Sequence, residues 1–198
     1  KSYPMMLLTS LVGFVLLLFF LIFIWYLTQL RKTPDPHQDS RATPKVSVLL
    51  AARNEEANIL ACLEALYQLR YPADKLEILI GDDRSEDQTR AIIQEYIADK
   101  PNFHLVDVTY DWGKARSKGN VLAWLADAAS GEYYGITDAD IRVPPDWVHG
   151  LLNGFGTGIG VVSGVSVVEG TSFFGKMQGL EWRYYMTLVR LTAESYPI

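Results

Sequence analysis

Two carboxylates at Asp138 and Asp140, one alanine apart, and a second pair at Asp82-Asp83 are the residues whose types and spacing suit chemistry. In an extended segment residues two apart face the same way, so Asp138 and Asp140 can aim both carboxylates at one point. Hard divalent cations such as Mg²⁺ or Mn²⁺ take oxygen ligands, often one or two carboxylates together with substrate phosphates. An ion so held can neutralise a departing diphosphate. Spacing alone proves little, because 13 Asp among 198 residues yield roughly one Asp-x-Asp by chance. The bland alternative is a solvated turn leading into Pro144-Pro145. Asp82-Asp83 is equally two-sided. Asp and Ser after a strand commonly make a turn and cap the next helix, and Ser85 is read as such a cap. For Asp83, capping and acceptance of a hydrogen bond from a ribose or base N–H both stay open.

These clusters need elements to position them. Val46 to Ala52 is a short β-rich run, and Ile59, Leu60, Leu63, Leu66 and Tyr67 follow at helical spacing. The alternation continues with a strand over Leu76 to Ile80, a helix over Glu86 to Ala98 and a strand over Phe103 to Val108. A helix over Ser117 to Ala129, a strand over Tyr133 to Thr137 and a helix starting near Pro145 complete it. Short apolar strands alternating with helices predict a mainly parallel sheet covered on both faces, a doubly wound α/β domain. Such sheets bind ligands beyond the carboxyl ends of their strands. Arg53-Asn54-Glu55-Glu56, Asp82-Asp83 and Asp138-Ala139-Asp140 all fall at such ends. No internal repeat, phosphate-loop or dinucleotide glycine fingerprint is present.

The set resembles the inverting nucleotide-sugar glycosyltransferases of the GT-A fold, specifically the large second family that includes cellulose, chitin and hyaluronan synthases. The resemblance covers about Pro44 to Trp147. Val46 to Glu56 is similar to the family's opening strand and Asn-Glu turn, with Ala51 where a proline is usual. It implies that Ala52, Arg53 and Glu55 lie around the nucleotide base. Asp82 to Thr89 resembles the Asp-Asp-x-Ser-x-Asp-x-Thr turn, which implies a uridine contact for Asp83. Gly131 to Asp140 resembles the family's Gly-Glu, strand, Asp-Ala-Asp run, which implies a metal ligand in Asp140 and places Asp138 beside ribose and metal. The family's lysine before Gly-Glu has two counterparts. Gly113-Lys114-Ala115 has the right residues, whereas Lys118 has the right distance from Gly131 and is preferred on spacing. The family's general base and Gln-x-x-Arg-Trp motif match nothing here. Asp146 and Glu169 are available carboxylates without a matching motif, so the catalytic base is unassigned and the region reads as the donor-binding half of an incomplete domain.

Met5 to Leu27 is a 23-residue run without charge, and about 20 apolar residues suffice to cross a bilayer. We expect a transmembrane helix over residues 5–30, a proline-bearing linker over 31–44 and the GT-A domain over 45–198. Trp25-Tyr26 followed by Arg31-Lys32 resembles an interfacial end, and the positive charge after the helix predicts a single-pass protein of the plasma or inner membrane with its domain in the cytoplasm. The chain opens on Lys1, so an upstream piece is expected to be missing. Residues 1–32 hold three basic and no acidic residues. Subtracting them from 18 basic and 23 acidic leaves 15 against 23, a net charge of −8 that argues against nucleic-acid binding. The lone Cys62 is read as a packed, reduced thiol, which excludes disulfides and cysteine-based zinc sites. Phe173 to Leu191 carries an apolar aromatic stripe with interspersed bases, suited to core packing or to a helix at a membrane surface. His37, His104 and His149 stand singly and receive no role.

The function expected is transfer of a sugar, with inversion, from a nucleoside-diphosphate sugar, a UDP-sugar by the resemblance, to the hydroxyl of a glycan, lipid or other acceptor, with Mg²⁺ or Mn²⁺. A nucleotidyltransferase and a noncatalytic membrane-tethered nucleotide-binding or assembly module are the alternatives. The absence of a glycine-rich basic triphosphate loop counts against the first.

Overall fold

A computed structural model describes residues 3–30, 43–164, 166 and 172–194. The chain divides into two compact units, residues 37–162 and residues 1–36 with 163–198.

In the first unit four strands form one parallel sheet: β1 (Val46–Ala52), β2 (Leu76–Asp82), β3 (Phe103–Asp107) and β4 (Tyr133–Asp138), in the order β3-β2-β1-β4. The helices are α2 (Ile59–Tyr67), α3 (Thr89–Ile97), α4 (Ser117–Ala128) and α5 (Trp147–Leu152), α1 being the N-terminal helix of the other unit. The central strand β1 is apolar apart from Ser47 because both of its faces are covered. Val48 and Leu50 join Ile59, Cys62, Leu63 and Leu66 of α2 and Ile93 of α3, whereas Leu49 and Leu79 meet Val121 and Leu125 of α4 on the opposite side. This is the α/β parallel sheet that the alternation predicts. Successive strands run outward from β1 to β3, and β4 then returns to the free side of β1, pairing Ala51 with Asp138. That reversal opens a crevice at the carboxyl ends of β1 and β4.

Local chemistry moves several boundaries. Helix α3 starts at Thr89, not at Glu86, because the Asp87 carboxylate accepts the Thr89 N–H (3.0 Å) and hydroxyl (2.5 Å) and holds the preceding residues in a turn. Ser85 is not its cap: Gln88 occupies that position, while the Ser85 hydroxyl donates to Asp82 and accepts the Asn54 N–H at 2.9 Å. Strand β2 runs on to Asp82, and the Asp83 N–H extends its pairing with β1 by donating to the Ala52 carbonyl (2.9 Å). Helix α5 begins at Trp147, whose N–H donates to the Pro144 carbonyl (2.9 Å), so the two prolines lie in the turn before it.

The far end of the sheet is tied by Glu77. Its carboxylate accepts the Ser130 N–H (2.6 Å) and the hydroxyls of Ser47 and Ser130. Although burial pushes the Glu77 carboxyl up, these hydrogen bonds and the Lys45 ammonium hold it below the usual carboxylate range. A carboxyl depressed in the folded state stabilises above its unfolded value and loses that contribution as pH falls through the folded one. We therefore expect Glu77→Gln to lower the thermal midpoint at pH 7 and to narrow the gap to wild type as the pH is taken below 4.5, in parallel melts by circular dichroism.

In the other unit Tyr3–Leu30 forms a single 28-residue helix, α1, without a charged residue. Its described side chains run from Ser10 to Trp25, with Thr28, and all are exposed. Among the described residues no helix is long and apolar enough to cross a membrane. Phe173–Glu194 forms α6, on which Phe173, Phe174, Leu180 and Tyr185 are exposed, unlike a stripe packed in a core. The linker as far as residue 42, with His37, and Glu169 lie outside the described residues.

Candidate functional site

A pocket of about 370 Å³ opens at the carboxyl ends of β1 and β4, and Ala52, Arg53, Glu55, Asp83, Lys118, Asp138 and Asp140 all line it. Every residue singled out for a donor or metal is thus brought to one place, together with Ala51, Ser117, Val121 and Ala139. They arrive on four elements: Ala52, Arg53 and Glu55 at and after the end of β1, Asp83 after β2, Lys118 in the first turn of α4, and Asp138 and Asp140 at and after the end of β4.

The two adjacent aspartates divide their work. Asp82 turns to the loop, accepting the Ser85 N–H (3.3 Å) and lying 3.8 Å from Arg90. Asp83, its side chain 5% exposed, faces two guanidiniums: Arg53 donates to Oδ2 (3.5 Å) and Arg84 to Oδ1 (3.3 Å). Capping therefore falls to neither residue. Of the two candidate lysines, Lys118 lines the pocket and its ammonium pairs with Asp138 Oδ1, whereas Lys114 is exposed and does not line it. Asp140 is exposed, and among the described residues its carboxylate takes part in no hydrogen bond or ion pair. Asp146 points elsewhere, paired with Arg70 at 3.2 Å. His149 packs against Tyr71 with the rings tilted by 51°, and His104 is exposed on β3.

Backbone strain concentrates at the same edge. Among the described residues the non-glycine positions with positive φ are Asn54 (53°), Arg84 (56°) and Ser117 (49°). These sit in the loops after β1 and β2 and at the start of α4. Such conformations cost of order 1–3 kcal/mol each and persist where the surroundings fix them. Here Asn54 is fixed by reciprocal loop bonds, its N–H to Ser85 and its Oδ1 accepting the Glu86 N–H (2.8 Å). Ser117 stands where α4 begins and Lys118 enters the pocket.

Asn120 is a positioning residue that the motifs do not reveal. It is 1% exposed; its Oδ1 accepts the Trp112 N–H, and its Nδ2 donates to the Tyr110 carbonyl (3.1 Å). Trp124 Nε1 donates to that same carbonyl at 3.0 Å. The turn preceding α4 is thereby fastened to the helix that carries Lys118. A buried Asn beside Val121 on an apolar helix face was the available signal, since buried amides require partners.

Beneath the pocket floor lies Cys62, a buried free thiol that donates to the Asp138 carbonyl at 3.6 Å. Burial, and then the charges of Asp140, Asp138 and Glu55, push this thiol up to about 12. The thiolate is the reactive form. Cys62 should therefore resist iodoacetamide at pH 8 in the folded chain and react once urea unfolds it, as mass spectrometry would show.

Among the described residues no group of three or more His, Cys, Asp or Glu is arranged to hold a metal by itself. What the pocket offers is two carboxylates on one wall, from Asp138 and Asp140. That donor set fits a hard ion that completes its coordination with water and a diphosphate.

Comparison with known proteins agrees with this geometry. Residues 47–196 match Glycosyl transferase family 2, some way past the Pro44 to Trp147 region that the motifs cover. Over 141 residues the chain is 32% identical to beta-monoglucosyldiacylglycerol synthase of Synechocystis, covering 70% of this chain and 29% of that protein. Over 140 residues it is 32% identical to poly-beta-1,6-N-acetyl-D-glucosamine synthase of Staphylococcus epidermidis, covering 69% and 32%. The chain thus spans less than a third of the length of either relative. Among solved structures, a mannosyltransferase of Pyrobaculum calidifontis in complex with GDP-Man and Mn²⁺ superposes with a TM-score of 0.55 at 29% identity, covering 67% of this chain and 39% of that one. The parallel sheet, the pocket at its switch point and the match over most of the chain together make this protein a member of glycosyl transferase family 2.

Proposed function

We propose that this chain forms the donor side of a membrane-anchored glycosyltransferase that takes a UDP-sugar with Mg²⁺ or Mn²⁺ and transfers the sugar, with inversion, to a hydroxyl. The observation that carries the reading is the convergence of seven residues from four elements on one pocket at the β1/β4 crevice. Ala52, Arg53, Glu55 and Asp83 line its base side, and Asp138 and Asp140 supply oxygen ligands. A bound ion would neutralise the leaving diphosphate. Lys118 is within reach of the same charge and leaves Asp138 to meet a phosphate. In the transfer, the acceptor oxygen bonds to the anomeric carbon as the bond from that carbon to the diphosphate breaks, and the acceptor proton passes to a base. We assign that base to no residue of this chain. The names of the two relatives favour a lipid or glycan acceptor. The uncharged sequence run from Met5 to Leu27, followed by Arg31 and Lys32, supports a single membrane crossing with the domain on the cytoplasmic side.

Calorimetric titration of UDP into the chain, with and without Mn²⁺, tests the reading. Binding that appears only with the ion is expected; absence of UDP binding by the folded chain in Mn²⁺ would overturn it.

A further inference from the structure

The family fold leaves the base of the donor open, since the superposable mannosyltransferase holds a guanine nucleotide. Resting on the donor-site reading above, we infer that Arg84 makes this site select uracil over guanine, by restricting how the Asp83 carboxylate meets the base.

The two oxygens of Asp83 meet different guanidiniums. Arg53 lines the pocket and donates to Oδ2, whereas Arg84 does not line it and donates to Oδ1. The carboxylate is 5% exposed, so its two oxygens are divided between the guanidiniums and little of either meets free solvent. On the pocket side the chain therefore presents one carboxylate oxygen beside one guanidinium N–H. Uracil offers the complement of that pair, an N3–H donor flanked by carbonyl oxygens. Cytosine and adenine place a ring-nitrogen acceptor where the donor is required, and would leave Asp83 facing a lone pair.

Guanine is the competitor that matters, because it too carries a ring N–H beside a carbonyl. Its adjacent amino group adds a second donor, and the two together are best met by both oxygens of one carboxylate, side by side. To provide both, Asp83 has to turn Oδ1 away from Arg84. That gives up the charge-assisted hydrogen bond between Arg84 and Oδ1. The backbone at Arg84 is left-handed at φ 56°. The residue that follows it ties this backbone down, Ser85 being bonded to both Asp82 and Asn54. The Arg84 side chain thus leaves the loop outside the pocket wall, 72% exposed and with its guanidinium 3.3 Å from Oδ1, where it competes with guanine and not with uracil.

The test compares affinities for UDP and GDP, each with Mn²⁺, in the full chain and two variants. Glycine adopts a positive φ without strain, so Arg84→Gly keeps the loop while removing the guanidinium; Arg84→Lys keeps a cation beside Oδ1. Wild type is expected to prefer UDP. In Arg84→Gly that preference should shrink by about tenfold, the size of one charge-assisted hydrogen bond, through tighter GDP binding with UDP affinity nearly unchanged. Arg84→Lys should retain most of the preference. An unchanged UDP-to-GDP ratio in Arg84→Gly, or a ratio that narrows only because UDP binding weakens, would overturn the role of Arg84 while leaving the donor site standing. Wild type that binds neither nucleotide would overturn the donor-site reading itself, and this inference with it.

Discussion

Replacing Asp140 with alanine should remove Mn²⁺-dependent UDP binding, by about 100-fold or more, while the protein melts within about 2 °C of wild type. The first half follows from ligand number. A hard ion held by two carboxylates loses half of its protein ligands, and even groups one step removed from a metal cost about 10–100-fold when mutated. The second half follows from the surroundings of Asp140. Its side chain is exposed, and among the described residues it makes no hydrogen bond or ion pair whose loss would be felt on folding. Exposed substitutions of this kind usually change stability by no more than about 0.5 kcal/mol. Asp138 is a poorer probe because it has two attachments. Its carboxylate pairs with Lys118, so Asp138→Ala would remove a proposed ligand and also free an ammonium. Calorimetry on both variants, with melts alongside, separates the two effects. Full retention of Mn²⁺-dependent UDP binding in Asp140→Ala would withdraw Asp140 from the metal site.

The strands and the site edge were legible because the relevant information is local. A strand buried on both faces is largely apolar, and Val46 to Ala52 is so apart from Ser47. Polar residues at the carboxyl end of such a strand can serve turns and caps, but three such clusters at three strand ends of one sheet made Arg53, Glu55, Asp83, Asp138 and Asp140 stand out. Side-chain reach was harder. Lys118 could be preferred to Lys114 on spacing only, because the turn that fixes α4 depends on Asn120 and Trp124 holding the Tyr110 carbonyl, contacts 10 and 14 residues apart in the chain. Ser85 looked like a helix cap for a similar reason. Its real partners are Asp82, three residues back, and Asn54 in a loop 31 residues away, and only the second bond distinguishes a tie between loops from a cap. The arginine pair around Asp83 was also out of sight: nothing in the sequence says that Arg53 and Arg84 take different oxygens of one carboxylate.

Gly131 carries the largest structural prediction, and its reason is likewise absent from the sequence pattern. The glycine of the Gly-Glu pair sits at the entrance to β4, where an added Cβ would lie 2.5 Å from the Ser47 backbone nitrogen and 2.9 Å from the Val46 carbonyl carbon. Both are atoms of the central strand, which cannot move aside without disturbing its pairing with β2. The Gly131 N–H also donates to the Ser47 hydroxyl (2.7 Å), which in turn donates to Glu77, and the following Glu132 N–H donates to the Lys45 carbonyl (2.7 Å). Gly131→Ala must push β4 off β1 or break this knot. Overpacking costs about 1–3 kcal/mol, and a buried hydrogen-bonding group left unpaired about as much again. We therefore expect a loss of about 3 kcal/mol and a fall in thermal midpoint of about 10 °C for a domain of this size. Because β4 ends in Asp138, its displacement should also weaken Mn²⁺-dependent UDP binding, although Gly131 lies at the opposite end of the strand from the pocket. Asp140→Ala should lose binding without a change in melting, and Gly131→Ala should show both together. A Gly131→Ala protein that melts like wild type would mean that β1 and β4 are not held in the close register on which the convergence of Ala52, Asp138 and Asp140 depends.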